Sequence, residues 1–243
     1  MRRLLVAALF VLASGRAVAH DLPVDVELVL AVDVSGSIDA AEAALPREGY
    51  LSAIVHREVI DAIRGGPFGR IALVCMEWAG EHYQQVVVDW RLVEDAASAG
   101  AFADALAIQP RRTERWTSIS AAIDAAAARF DGNGFEGTRR VIDLSADGHN
   151  NSGRAVTAAR DEAVARGVTI NGLPILNDRP GPGGWPAAVD LDRYFEENVI
   201  GGPGAFMVPA EDFDVFAVAI RTKLVREIAL RDAAATGATA ALR

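Results

Sequence analysis

Apolar runs of strand length alternate along this chain with longer stretches in which apolar residues recur every three or four positions. That is the pattern of βαβ units around a mostly parallel sheet. The first run, Val26 to Asp33, is almost continuously apolar, as expected of a strand covered on both faces. Asp39 and Glu42, three apart, form a cap pair for a helical pattern that continues to about Arg64. Pro46 is expected to kink or split that helix, and Gly65-Gly66-Pro67 to end it. Arg70 to Trp78 and Tyr83 to Trp90 read as strands joined by a turn at Ala79 to His82, too short for a crossover helix. They should pair antiparallel, with the second of them at a sheet edge.

Beyond them, Glu94 to Ile108 predicts a helix closed by Pro110, and Thr117 to Phe130 another whose inner face carries Ile119, Ile123, Ala127 and Phe130. A strand from Arg140 to Ser145, a helix from about Arg154 to Arg166 stopped by Gly167, and a strand from Val168 to about Ile175 follow. Asn177 to Pro186 is rich in proline and glycine and reads as a loop. Asp190 to Val199 predicts a short helix, Ala205 to Val208 a short last strand, and Glu211 to about Ile228 a final helix with Phe213, Phe216, Ile220 and Leu224 inward. With no internal repeat or linker, residues 20–232 read as one α/β domain. Its sheet is doubly wound and six-stranded, with one antiparallel edge strand and helices on both faces, and a frayed tail covers 233–243.

Composition changes the picture at the ends and in the choice of partners. Hydrophobic residues make up 51% of the 243 and charged ones 23%, enough for a sizeable core. Residues 1–19 read as a signal peptide: Arg2 and Arg3, an apolar run from Leu4 to Ala13, then Ala17-Val18-Ala19 before the expected cut at His20. That run is short of the roughly 20 apolar residues a membrane span needs, so a periplasmic or secreted destination with no membrane span after cleavage is expected. Cleavage would remove Arg2, Arg3 and Arg16 and no acid, taking the net charge from −9 to −12. So acidic a chain is suited to cations and basic partners, not to nucleic acid. The single cysteine, Cys75, lies in an apolar run and is expected to be a buried, inert thiol.

In open sheets of this class, ligands bind beyond the carboxyl ends of the strands. Three sequence-distant loops should open there, carrying Asp33, Ser35 and Ser37 after the first strand, Thr117 at a helix start, and Asp147 in "VIDLSADGHNN". All five are hard oxygen donors, and the four histidines, His20, His56, His82 and His149, show no metal-ligand spacing. Such donors suit Mg²⁺, with Mn²⁺ or Ca²⁺ possible. Alternate positions of an extended segment point the same way, so Asp33, Ser35 and Ser37 can converge while Gly36 permits the tight path. If the two aspartates act mainly through bound waters, the three neutral hydroxyls of Ser35, Ser37 and Thr117 leave the ion short of negative charge and open to a carboxylate from another molecule.

The set "DVSGS", "TSIS" and "ADG", in this order, resembles the metal-ion-dependent adhesion site (MIDAS) of von Willebrand factor type A (vWA) domains. The chain is also similar to a bacterial group of exported vWA proteins of unknown function, through "RRVIDLSADGHNNSG" and "INGLPIL". The resemblance implies that Ser35, Ser37 and Thr117 coordinate the metal directly, that Asp33 and Asp147 hold it directly or through water, and that a partner's Glu or Asp completes the sphere. Trp116 stands where that family usually has glycine, and Ala146 where it commonly has threonine.

The expected function is therefore a metal-dependent protein-binding module with no enzymatic role. A metal-dependent phosphohydrolase of haloacid-dehalogenase type is the alternative, and it would need a second aspartate where Ser35 stands. A third reading keeps the ion as purely structural. Trp116 and Trp185 are expected in loops beside the cleft, as partner anchors or as packing. Arg111, Arg112 and Arg115 form either an anion-attracting patch or a solvated turn. Asp143 is expected buried against a donor, and His149, Asn150 and Asn151 serve either as rim contacts or as turn formers.

Overall fold

The structure is a computed structural model describing residues 20–36, 45–176, 188–210 and 213–229, with the side chains of residues 45 and 213–215 left undescribed. The leader 1–19, the cap pair Asp39 and Glu42, Ser37, the loop at 177–186 with Trp185, and the tail from 233 lie outside the described residues.

A five-stranded sheet forms the centre, in the order β4-β3-β2-β6-β7. Its strands are β2 (Glu27–Asp33), β3 (Ile71–Trp78), β4 (Gln84–Val93), β6 (Arg140–Ala146) and β7 (Val168–Pro174). All neighbours are parallel except β3 and β4, whose antiparallel ladder carries a register irregularity between Leu73 and Met76. Strand β4 is thus the edge, as its short connection to β3 requires. Every residue of β2 is buried, because its two rows of side chains face two different cores.

One core packs Leu28, Leu30 and Val32 against α1 (Leu45–Ile54), α2 (Arg57–Arg64), α3 (Ala96–Ala107) and α7 (Phe213–Ala229). The other packs Val29 and Ala31 against α4 (Ile119–Ala128), α5 (Val156–Ala165) and the segment Leu191–Val199. Each such side chain contributes about 1.5–3 kcal/mol of burial free energy, so strand order and helix faces are fixed together. Helices α1 and α7 approach closely at Gly49, where a Cβ would stand 2.6 Å from Ile220 Cδ1. Any larger residue there must displace the Ile220 and Phe216 side chains of α7.

Four features refine, correct or add to the expectations. The helical break among the described residues falls at Val55–His56, where His56 caps α2 through its own side chain, and Pro46 stands in the first described turn of α1. Proline is tolerated in a first turn, where its missing N–H has no intrahelical partner in any case. Second, the sheet has five strands among the described residues and not six. The segment at Ala205–Val208 does run beside β7, but it makes only isolated bridges at Met207 and Ala210. Backbone bonds link Gly172 to Phe206 and Val208, and Ala210 to Pro174 and Leu176, but Pro174 has no N–H to donate between them, and the Phe206 N–H goes to the Asn171 side chain at 3.0 Å. Third, the Asp190–Val199 helix is α6 (Leu191–Tyr194) followed by a π-helical turn (Phe195–Val199). Fourth, β1 (Leu22–Val24) and β5 (Phe135–Gly137) form a separate parallel pair that three-residue segments could not announce.

Phe216, Ile220 and Leu224 are buried along α7 as expected. Cys75 is free and buried, and burial followed by the Glu77 charge holds its thiol well above the ordinary value.

Candidate metal centre

Strand β2 delivers Asp33 to the carboxyl end of the sheet, where the ladder gives way to local bonds. Val34 N–H still donates to Trp78 C=O at 2.9 Å, and then Ser35 N–H turns back to Asp33 Oδ1 at 2.7 Å. Gly36 takes φ 64, the left-handed region that glycine enters without strain, and its N–H donates to Glu114 C=O. Glu114 in turn donates to Val34 C=O, so the loop before α4 is stitched onto the end of β2.

That stitching brings in Thr117. Its Oγ1 lies 3.0 Å from Ser35 Oγ, across 82 positions of sequence. Asn151 holds the threonine from both sides, its Oδ1 accepting the Thr117 N–H at 2.8 Å and its N–H donating to Thr117 C=O at 2.8 Å. Asn150 Oδ1 accepts the Ser120 N–H, and Ser118 N–H reaches Ala79 C=O at the end of β3. Asn150 and Asn151 are therefore braces of the Thr117 loop.

The third loop follows β6. Gly148 faces Thr117 closely enough that a Cβ there would stand 3.7 Å from Thr117 Oγ1. Asp147 is near enough to Asp33 for its charge to act on that carboxyl. Burial first, then the Asp147 charge, push the Asp33 carboxyl well above the usual carboxylate range, with the Ser35 hydroxyl and the Ser35 and Asp147 backbones pulling the other way. Asp33 Oδ2 is buried and finds no hydrogen-bond partner among the described residues.

Four of the five expected ligands, Asp33, Ser35, Thr117 and Asp147, are thus brought together from three loops, and the fifth, Ser37, lies outside the described residues. The donor set fits a divalent cation on physical grounds. Two buried hydroxyls face each other, an acid is raised by burial and then by the charge of a second acid, and a buried carboxylate oxygen lacks a partner. A positive charge would relieve all three. Among the described residues no group of three or more His, Cys, Asp or Glu could hold a metal, so this hydroxyl-rich set differs from a thiolate or imidazole site.

Behind the loops lies support that sequence reasoning missed. Arg47 of α1 forms a buried ion pair with Glu77 of β3, its Nε donating to Glu77 Oε1 at 2.9 Å, while its other nitrogens donate to Gln109 and Pro110 C=O. It ties the start of the 109–116 loop to the sheet one strand away from Asp33. Of the expected basic patch, Arg111 is paired with Glu48 across a solvated surface. Trp116 precedes Thr117 at φ 69 and is 64% exposed, so the position where related domains usually carry glycine does adopt the conformation glycine favours. A cavity of about 730 Å³, lined by Tyr83, Glu114, Trp116, Asn151 and others, opens beside it.

Residues 23–232 match the family model described as a protein of unknown function, DUF1194. The chain belongs to this family. No curated protein matches the DUF1194 chain in sequence. Among solved structures it is similar to proximal thread matrix protein 1 from the mussel byssus, at 15% identity and TM-score 0.61, covering 87% of this chain and 49% of that one. A form of the same mussel protein has a zinc-occupied MIDAS motif. A von Willebrand factor type A protein from Catenulispora acidiphila matches at 16% identity and TM-score 0.57, covering 84% and 43%. An aerotolerance-related membrane protein from Bacteroides fragilis matches at 22% identity and TM-score 0.54, covering 82% and 98%. The DUF1194 chain therefore has the vWA fold, and it spans about half the length of the mussel protein. No helix among its described residues is long and apolar enough to cross a membrane.

Proposed function

We propose that this vWA-fold chain is an exported binding module in which Asp33, Ser35, Ser37, Thr117 and Asp147 hold one divalent cation that captures an acidic residue of a partner protein. The signal-like leader supports export to the periplasm or beyond, and the absence of any required second aspartate at Ser35 favours binding over phosphoester chemistry. Magnesium is the expected ion, with manganese or calcium as substitutes, and the mussel protein's zinc-occupied motif supports a divalent ion as the general class.

The observation that carries the reading is the 3.0 Å approach of Ser35 and Thr117 hydroxyls beside the unpartnered Asp33 oxygen. When bound, the cation supplies positive charge that attracts a carboxylate. The chain's own part is to hold hydroxyls in place without cancelling that charge: Asn151 fixes Thr117, and the Glu114 backbone fixes Ser35.

Equilibrium dialysis against Mn²⁺ tests the assignment. One ion per chain is expected, with binding lost in Thr117→Ala. Binding that is absent, or unchanged by Thr117→Ala and Asp33→Asn, would overturn it.

A further inference from the structure

A second polar constellation lies on the far side of the sheet, buried between β6, β7, α1 and α7. Lys223 of α7 places Nζ 2.6 Å from Asp143 Oδ1 of β6 and 2.5 Å from Glu227 Oε1, and all three side chains are fully buried. Tyr50 Oη donates to the same Asp143 Oδ1 at 3.0 Å, and Asn171 Nδ2 donates to Glu227 Oε1 at 3.0 Å. Ser145 of β6 is also buried beside Tyr50, and the remaining neighbours are apolar, with Phe216, Ile220 and Leu224 on α7 and Val141 and Leu173 on the sheet in the same core.

As an ion network this cluster is incomplete. One lysine faces two carboxylates, and Asp143 Oδ2 and Glu227 Oε2 have no partner among the described residues. Buried polar atoms are nearly always paired, so each orphan asks for a cause. For Asp143 the division is informative. Its Oδ1 receives both the hydroxyl and the amine, and its Oδ2 receives nothing.

We propose that Lys223 and Asp143 condense into an intramolecular amide that joins α7 covalently to β6, with Glu227 as the proton carrier and Tyr50 as the donor to the carbonyl oxygen. Nζ attacks Asp143 Cγ, and the negative charge that develops on Oδ1 is met by the Tyr50 hydroxyl. Burial, followed by the Asp143 charge, raises the Glu227 carboxyl to about 8, so it holds a proton at neutral pH. It gives that proton to Oδ2 and takes one from Nζ, and a second such exchange lets Oδ2 leave as water. The N–C bond forms and the C–Oδ2 bond breaks. Two of the three ammonium protons leave in the water, the third stays on the amide nitrogen, and Glu227 ends as it began. No oxidant or co-reactant is needed. The product removes a buried ion pair, and the oxygen that departs is the orphan.

The consequence is mechanical. Strand β6 leads directly to Asp147, so the link would tie the last helix to the strand that feeds the candidate metal centre, and α7 could not slide along the sheet.

Mass spectrometry of the purified full-length protein, denatured after folding, tests this directly. Trypsin should release Val141–Arg154 joined to Thr222–Arg226, lighter than the two peptides together by one water. Glu227→Gln and Lys223→Met should carry their full sequence masses, and Asp143→Asn should still link, losing ammonia in place of water. Wild-type protein that releases Val141–Arg154 at its full sequence mass, with trypsin free to cut after Lys223, would overturn the proposal, whatever the variants do.

Discussion

Ser35 Oγ and Thr117 Oγ1 lie 3.0 Å apart at the carboxyl end of the sheet, although neither belongs to a regular element and 82 positions separate them. Their meeting is enforced from outside the pair. Glu114 is bridged to the end of β2 on one side, and Asn151 clamps the threonine backbone on the other. Asn151→Ala removes the acceptor for a half-buried N–H, and a loss of about 1–3 kcal/mol is expected by chemical denaturation. A change below a few tenths of that would mean that Thr117 is held by something else.

The Arg47–Glu77 pair makes a sharper case, because both partners are buried. Arg47→Met leaves Glu77 without its cation and frees the Gln109 and Pro110 carbonyls, and the expected cost is about 3–5 kcal/mol. Arg47→Met with Glu77→Leu should recover most of it. Urea unfolding of the wild type, Arg47→Met, Glu77→Leu and the double variant, read as a double-mutant cycle, gives the coupling.

Trp116 runs the other way. A bulky residue at φ 69 is strained, and at 64% exposure it returns little packing. Trp116→Gly is expected to raise stability by about 0.5–1 kcal/mol, since glycine adopts this conformation freely. A lower melting temperature in the glycine variant would show that the indole's contacts outweigh the backbone strain.

Glu227 sets a pH dependence for the metal-free protein while Lys223 and Asp143 are still unlinked. Its folded carboxyl is raised from 4.5 to about 8, first by burial and then by Asp143. Between those values the unfolded chain has released a proton that the folded one keeps, so this contribution is full below pH 4.5 and is lost as pH rises through 8. The slope is at most about 1.4 kcal/mol per pH unit. Asp33, also raised, adds the same sign from its own lower starting value. Denaturation midpoints should fall from pH 5 to pH 8, and Glu227→Gln should flatten the decline.

Much of the fold was legible because β2 is buried on both faces and the helices carry one apolar stripe each, so burial wrote itself into periodicity. The parts that were not legible are those where length or side-chain chemistry defeats periodicity. Leu22-Pro23-Val24 is too short to show a pattern, His56 caps α2 with an imidazole, and Pro174 has no N–H to donate where the last segment runs beside β7, so that segment pairs only through isolated bridges. In the site, Asp33, Ser35 and Thr117 could be read from motif and order, since strand ends of this fold share one edge. Asn151, Arg47 and Glu77 could not, because which backbone group a side chain serves depends on loops that meet only in three dimensions. Asp143 was expected against a donor, and Lys223 and Tyr50 supply it.

The central claim is that three loops assemble a divalent-cation site, and the most direct measurement is a thermal melt with and without Mg²⁺. At 100 times the dissociation constant the ion should stabilise the fold by about 2.7 kcal/mol, a rise of roughly 5–10 °C for a domain of this size. Chelator should reverse it, and Ser35→Ala combined with Ser37→Ala should abolish it. A wild-type melt that neither Mg²⁺ nor Mn²⁺ moves, or a shift that survives in the double variant, would contradict the account.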